Sequence, residues 1–253
     1  MTGLLNGISQ MFSVTWFNLR TLPQRMGSSA TAIFGIAGVV AVMVGVLSIA
    51  EGILRTMQSS AAPDNAVILR SGSNSEMMSI LLGDSTRIIA EAPGLARNAD
   101  GALASPELFV VINLTKRGTG TDANVPLRGV TRTALGVRDN FQIVDGRMFQ
   151  WGLNEVVVGV GAQMEFNGLE IGSTIPVAQE DWPVVGVFEI GGGLAETEIW
   201  VDASVLQPAY RRGNSYQSVY AKLESAEAFA EFKDALTSDP RLNVKPMRES
   251  EYY

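Results

Sequence analysis

The sequence predicts an α+β protein, with one N-terminal transmembrane helix followed by a mixed two-lobe extracytoplasmic domain that has a β-rich middle lobe. Three observations carry this. Residues 26–50 form an unbroken uncharged run. Residues 106–200 are a series of short apolar stretches divided by turn residues. Helical periodicity returns on both sides of that series. With 253 residues in all, the part beyond the apolar run is long enough to bury a substantial core.

Residues 1–25 read as a cytoplasmic amphipathic leader. Leu4, Ile8, Met11, Phe12, Trp16 and Leu19 recur at spacings of three and four, which places them on one helix face. Trp16 and Phe17, followed by Arg20 and Arg25, suit a helix lying in the membrane interface, with Pro23 marking the bend into the span. The alternative is a frayed leader without a role.

Residues 26–50 are the expected transmembrane helix, since at about 1.5 Å per residue they cross a hydrocarbon layer of roughly 30 Å with some tilt. Gly35, Gly38 and Gly45 would weaken a soluble helix but are tolerated in lipid. A buried core helix would be unusual with no polar residue beyond Ser and Thr. Ser48-Ile49-Ala50 offers small residues for signal-peptide cleavage, yet this apolar core far exceeds the usual length of about 7–15 residues. Arg20 and Arg25 are the only charges in the first fifty residues, and all 26 carboxylates come later. Positive flanks stay inside, so the N-terminus is expected in the cytoplasm of a bacterial inner membrane and residues 51–253 outside it.

The net charge of −7 repels phosphate backbones and argues against nucleic acid as a partner. Cys and His are both absent, which removes disulfides, thiolate nucleophiles, Cys/His zinc sites and imidazole bases. An exported domain without disulfides rests on its core, which suits a large bacterial envelope domain.

Past residue 50 the helix is expected to continue to Met57, before Pro63 stops it. A strand follows at 66–70. A helix is then predicted from Asn74 or Ser75 through Met77, Met78, Ile80, Leu81, Ile88 and Ile89, closed by Pro93-Gly94. Strands are predicted at 107–114, 125–130, 141–144, 155–160, 174–177, 182–189 and 197–201. The chain then alternates: helix 203–210, strand 216–223, helix 225–236 with Phe229, Phe232 and Leu236 on one face, and strand 242–245. The β-rich lobe, about 106–200, would be inserted in an α/β lobe.

Signs of chemistry are sparse. No phosphate-binding loop occurs, so the chain is not an ATPase by that route. Gly159-Val160-Gly161 follows a strand, but Met164 stands where a dinucleotide fingerprint needs Gly or Ala, which favours a tight strand-to-helix turn. Gly191-Gly192-Gly193 with Glu196 and Glu198 reads as a hairpin loop with a solvated charge pair rather than a metal or sugar site. Glu180-Asp181 reads as two acids facing water, and nothing fixes a carboxylate separation for glycoside cleavage. The sequence therefore names no catalytic, cofactor-binding or metal-binding residue and predicts no cofactor.

Several stretches together resemble the ABC transporter permeases of the MacB and FtsX type. They are Trp16-Phe17-Asn18-Leu19-Arg20 and Pro23-Gln24-Arg25 before a glycine-dotted span, Asn124-Val125-Pro126-Leu127-Arg128-Gly129-Val130, and Asp145-Gly146-Arg147-Met148-Phe149. They continue with Glu155-Val156-Val157-Val158-Gly159, Gly168-Leu169-Glu170-Ile171-Gly172, and Trp182-Pro183-Val184-Val185-Gly186-Val187-Phe188. None is diagnostic alone, but their order covers nearly the whole chain. The resemblance implies a MacB-like periplasmic core domain inserted between the first and second helices of a four-helix permease. It also implies a separate or fused ATPase that drives the periplasmic domain mechanically, and a second permease copy or paralogue in the bilayer. The chain departs from that pattern by stopping at Tyr253, where a second span should be approached, so a fragment, a truncated product and half of a split subunit all remain open.

Three functions compete: a non-catalytic permease subunit, a single-pass periplasmic adaptor or ligand-binding module, and an anchored enzyme using carboxylates. The first is favoured by the resemblance, and the third is weakest because His and Cys are missing.

Overall fold

The computed structural model describes residues 2–21, 26–59, 62–99 and 101–252. The chain divides after Leu54 into two compact units. The first holds α1 (Thr2–Thr21) and all but the last turn of α2 (Met26–Ser59), a helix that continues past residue 50 as expected. Within α2, Ala30–Gly52 has mean hydropathy 2.6 and none of it is buried, so by length and composition it can cross a membrane. In water its exposed Ile33, Phe34, Val39, Val42, Met43 and Leu47 would be costly at about 25 cal/mol per Å². On α1 the side chains of Met11, Phe12, Trp16 and Leu19 are exposed. The predicted bend at Pro23, Arg25, and the side chains of Leu4 and Ile8 lie outside the described residues.

The second unit is built on a ten-stranded sheet, and two short antiparallel pairs lie outside it, β2 (Leu81–Leu82) with β12 (Ser215–Tyr216) and β3 (Arg97–Asn98) with β4 (Gly101–Ala102). One side of it holds β1 (Asn65–Arg70), which pairs antiparallel with both β13 (Ser218–Lys222) and β14 (Val244–Arg248). Two helices, α3 (Gly83–Ala90) and α7 (Phe229–Ser238), contribute Ile89, Phe229, Phe232 and Leu236 to the core over Ala66, Ile68, Val219 and Ala221. The helix spacing of three and seven read from the sequence in α7 is what puts those three residues on one buried face.

The other side begins with β6 (Asp122–Val130) and runs through β11 (Ile199–Asp202), β8 (Val156–Gly159) and β10 (Glu180–Glu189) to β7 (Gln142–Gly146), with β9 (Thr174–Val177) paired to β10. On one face, Leu108, Leu127, Val156, Ile175, Trp182 and Ile199 pack beneath α5 (Val160–Glu165) and α6 (Ala203–Ala209). On the opposite face, Phe149, Val157, Phe188 and Trp200 form a second, aromatic layer, with Phe141 stacked 5.3 Å from Trp200.

Both sides share β5 (Ala104–Thr115). Its first four residues pair with β13, and from Leu108 onward it pairs with β6. The hand-over leaves backbone groups without strand partners, and side chains take them up: Phe109 N donates to Gln217 Oε1, and Thr133 Oγ1 donates to the Ala104 carbonyl.

One predicted element is replaced. Instead of a helix from residue 75 to 89 there is a 3₁₀ turn, Glu76–Met78, then the short strand β2 (Leu81–Leu82), then α3. Helical spacing was present, but Glu76 is drawn into the interior and Ser79 Oγ accepts from Arg70 N, which holds the backbone extended at Ser79. Tertiary contacts override local periodicity here.

Candidate functional site

The most unusual local chemistry lies where β5 changes partners. Arg128 on β6 is 2% exposed and is flanked in register by Phe109 on β5 and Trp200 on β11. Its guanidinium uses all three nitrogens. Nε meets Glu198 Oε2 at 2.7 Å and Nη2 meets Glu198 Oε1 at 2.7 Å. Nη1 meets Glu76 Oε1 at 2.7 Å and Glu107 Oε2 at 3.1 Å, while Nη2 also reaches Glu76 Oε2 at 3.0 Å. Arg138, just past α4 (Ala134–Val137), forks onto Glu107 at 2.7 and 2.8 Å. The faces of Tyr220 and Trp200 lie 4.6 and 4.8 Å from the Arg138 guanidinium carbon.

Remaining acceptor positions are filled as well. Ser218 Oγ donates to Glu76 Oε1 at 2.6 Å and Trp200 Nε1 donates to Glu198 Oε2 at 2.9 Å. Burial alone would push the Glu76 carboxyl up, but the Arg128 charge and these hydrogen bonds hold it below the ordinary carboxylate range. Burial likewise opposes the charge on Arg128 and Arg138, and the facing glutamates outweigh it, keeping both guanidiniums charged. Three carboxylates thus converge on one guanidinium that fills the space between them. The cluster ties strands β5, β6, β11 and β13 to the 3₁₀ turn and offers no free base or nucleophile. Among the described residues no group of three acidic, His or Cys side chains is arranged to hold a metal ion.

The cluster reaches the base of the domain through the final helix, α8 (Glu249–Tyr252). Glu76 N donates to the Tyr252 hydroxyl at 3.3 Å, and that hydroxyl lies 3.4 Å from Glu76 Oε2. Burial and the nearby Glu76 push the Tyr252 phenol up to about 12, so it stays protonated. Three residues earlier, Glu249 Oε2 accepts from Ala62 N at 3.2 Å and from Asn65 Nδ2 at 3.0 Å, and Arg248 Nη1 donates to the Pro63 carbonyl at 3.3 Å. The segment that follows α2 and the last residues of the chain are therefore bound to each other. Glu249 is raised above the ordinary range by burial, only partly offset by Asn65.

The motifs read from the sequence resolve into packing. Gly159 does form a strand-to-helix turn between β8 and α5, and a Cβ there would stand 2.1 Å from the Glu196 carbonyl oxygen. Gly186 lies as close to the Arg147 carbonyl, also at 2.1 Å. Gly146 has φ +71 where β7 meets β10, and Arg147 makes a bidentate pair with Glu155 at 2.6 and 2.7 Å. Glu180 and Asp181 are exposed as expected, with Asn154 Nδ2 donating to Glu180.

The reading of Glu196 and Glu198 as a solvated pair in a hairpin loop needs correction. β10 and β11 are not neighbours, because β8 lies between them. Glu198 is buried against Arg128, and Glu196 Oε1 accepts from Ile190 N and Gly192 N. In the sequence Arg128 stands out only as part of a motif, and nothing there marks Glu76, Glu107 and Glu198 as its partners or Arg138 as the second cation on Glu107. The available signal was a single charge inside apolar strand segments, in Pro106-Glu107-Leu108-Phe109 and Leu127-Arg128-Gly129-Val130.

These features define a class: a membrane protein with an apolar N-terminal helix and an α+β extracellular domain that is braced by a buried ionic cluster. The chain belongs to the family of the MacB-like periplasmic core domain, whose match spans residues 29–239. Comparison with curated protein sequences gives no significant match. Among solved structures, the periplasmic region of MacB from Actinobacillus actinomycetemcomitans is similar, with TM-score 0.54 and 13% identity over 76% of this chain and 92% of that one. The extracellular domain of the noncanonic ABC-type transporter YknZ from Gram-positive bacteria is also similar, with TM-score 0.51 and 16% identity over 72% of this chain and 99% of that one. Family membership points to a permease-type subunit of an ABC-type transporter.

Proposed function

We propose that the chain is a non-catalytic permease subunit in which movement of the apolar helix, driven by a separate ATPase, is passed to the extracytoplasmic domain. In this reading α2 spans the bilayer with its N-terminus in the cytoplasm, and a second permease copy or paralogue completes the assembly. The observation that carries it is the bonded base of the domain. Ala62, Pro63 and Asn65, just beyond α2, are held by Arg248 and Glu249, and Tyr252 continues the connection to Glu76 and Arg128. A pull on the residues after α2 is resisted by the sheet as a whole, because buried ion pairs are costly to separate.

Purification of the tagged full chain from its own membranes tests the reading. Retention of an ATP-hydrolysing subunit, lost when the cytoplasmic leader is deleted, is the expected result. Recovery only with soluble extracytoplasmic proteins would instead favour an anchored adaptor.

A further inference from the structure

Met77, Met78, Ile80 and Leu82 are each more than half exposed, and among the described residues of the second unit Met164 is the one other large apolar side chain so exposed. The reason is local. The 3₁₀ turn gives way at Ser79 to extended backbone that runs into β2, so inward and outward positions alternate. Ser79, Leu81 and Gly83 are buried, while Met78, Ile80 and Leu82 form an outward strip with Met77 at its start. Residues 71–83 hold a single ionisable side chain, Glu76, and it is buried against Arg128. Isolated apolar residues are ordinary on a surface, but a contiguous uncharged strip rich in methionine has the composition of an interface core.

The strip is held in place before any partner arrives. Ser73 Oγ donates to the Met78 carbonyl at 3.1 Å, Ser79 Oγ accepts from Arg70 N at 2.9 Å, and Leu81 and Leu82 pair with Tyr216 and Ser215. A surface fixed in this way loses little freedom on docking. Its two ends differ in charge. Beyond Leu82, Ser215 Oγ donates to the Arg212 carbonyl at 2.7 Å, which brings up Arg211 and Arg212. Both side chains are exposed and make neither a hydrogen bond nor an ion pair among the described residues, whereas nearby Asp84 and Arg87 are paired with each other. At the other end, Glu76 N donates to the Tyr252 hydroxyl, and Glu251 beside Tyr252 is exposed and likewise makes no ion pair among the described residues.

An apolar strip with cations at one end and a carboxylate at the other is its own complement when a two-fold axis reverses its direction. We propose that it packs against the same strip of a second copy of the chain, antiparallel about an axis near Ile80. Met78 then meets the partner's Leu82, and Arg211 and Arg212 face the partner's Glu251. The proposal rests on the reading that a second permease copy shares the membrane, and it assigns the surface through which the two extracytoplasmic domains meet. Four apolar side chains and a charged rim fall well short of the roughly 20–30 residues per side that a stable soluble complex uses. The contact therefore depends on both copies being held in one bilayer, where confinement raises their effective concentration.

Because the chain has no cysteine, single-cysteine variants of the full chain can be treated with a short bis-maleimide in their own membranes. Ile80→Cys should link to itself. In membranes holding both variants, Met78→Cys should link to Leu82→Cys about threefold or more over either with itself, as the two-fold register requires. Gly118→Cys, in the loop between β5 and β6, controls for random encounter and should stay monomeric. On the Ile80→Cys background, Arg211→Glu with Arg212→Glu, or Glu251→Arg alone, should lower the linked fraction about fivefold or more, and all three together should restore it. Restoration also shows that the reversed chains are folded. Absence of the Ile80→Cys dimer, linkage to a protein of another mass in its place, equal linkage of Gly118→Cys, or failure of the combined reversal to restore the yield overturns the proposal. Retention of an ATP-hydrolysing subunit is scored on the same membranes: the subunit without the dimer refutes this contact alone, and the dimer without the subunit supports the contact while counting against the transport reading.

Discussion

Arg128 and Glu76 meet through two hydrogen bonds, 2.7 and 3.0 Å long, although 52 residues separate them in the chain. Arg128 belongs to a central strand and Glu76 to an irregular turn, so the pair fixes a loop to the middle of the sheet. Removing the guanidinium would strand Glu76, Glu107 and Glu198 in the interior. Arg128→Met should therefore cost about 3–5 kcal/mol in urea unfolding of the full chain. Arg128→Lys should recover only a minor part, because an ammonium cannot serve two carboxylates with forked geometry. Equal stability of Arg128→Lys and the parent would contradict this role for the guanidinium.

The two carboxyl groups at opposite ends of this connection predict opposite pH behaviour. Glu76 is held below the ordinary value of 4.5, so its stabilising contribution is complete above 4.5 and disappears as pH falls through its lowered folded value. Glu249 is raised above 4.5 by burial, so its contribution is complete below 4.5 and is lost as pH rises through its folded value. Glu76→Gln should accordingly be less stable than the parent near neutral pH, with the gap closing in acid. Glu249→Gln, which keeps an acceptor for Ala62 N, should match or exceed the parent near neutral pH and lose that advantage in acid. Unfolding midpoints measured across this range for both variants check the signs.

Glycines at close backbone approaches should tolerate no side chain. Gly159→Ala and Gly186→Ala each place a methyl 2.1 Å from a carbonyl oxygen, and each should cost at least about 2 kcal/mol by forcing strands and turns apart. Gly118→Ala is the control, since nothing lies within 4 Å of its Cβ position and its φ is ordinary. Thermal unfolding of the three variants should separate the first two from the third.

The natural absence of cysteine permits a direct topology test. Gln10→Cys, on α1, should resist a membrane-impermeant maleimide in intact spheroplasts and react after lysis. Gly118→Cys, in the loop between β5 and β6, should react at once. Immediate labelling of both positions would refute the proposed orientation.

Much of the architecture was legible because it depends on local pattern. The apolar run predicted the long helix, alternation predicted most strands to within a few residues, and the spacing of Phe229, Phe232 and Leu236 predicted the buried face of α7. The helix expected from residue 75 does not form: of the apolar residues that were to share its face, Met77, Met78 and Ile80 stay exposed, while Leu81 is buried from the short strand β2 and Ile89 from α3. What decided that segment was the distant Arg128. Glu198 was misread for the same reason, since a carboxylate beside three glycines resembles a surface loop until its cationic partner is known.

The order of amino acids sets where apolar and charged matter lies along the chain, hence the apolar helix, the acidic domain beyond it and the alternation of strand and helix. Periodicity and composition act between near neighbours, and near neighbours are visible in a sequence. Contacts between distant segments settle which charges are buried, which strand passes from one partner to another, and that Glu249 and Tyr252 close onto Asn65 and Glu76. Those outcomes depend on side chains that meet after the sheet has formed. Their energies come from shared desolvation, which no single residue carries.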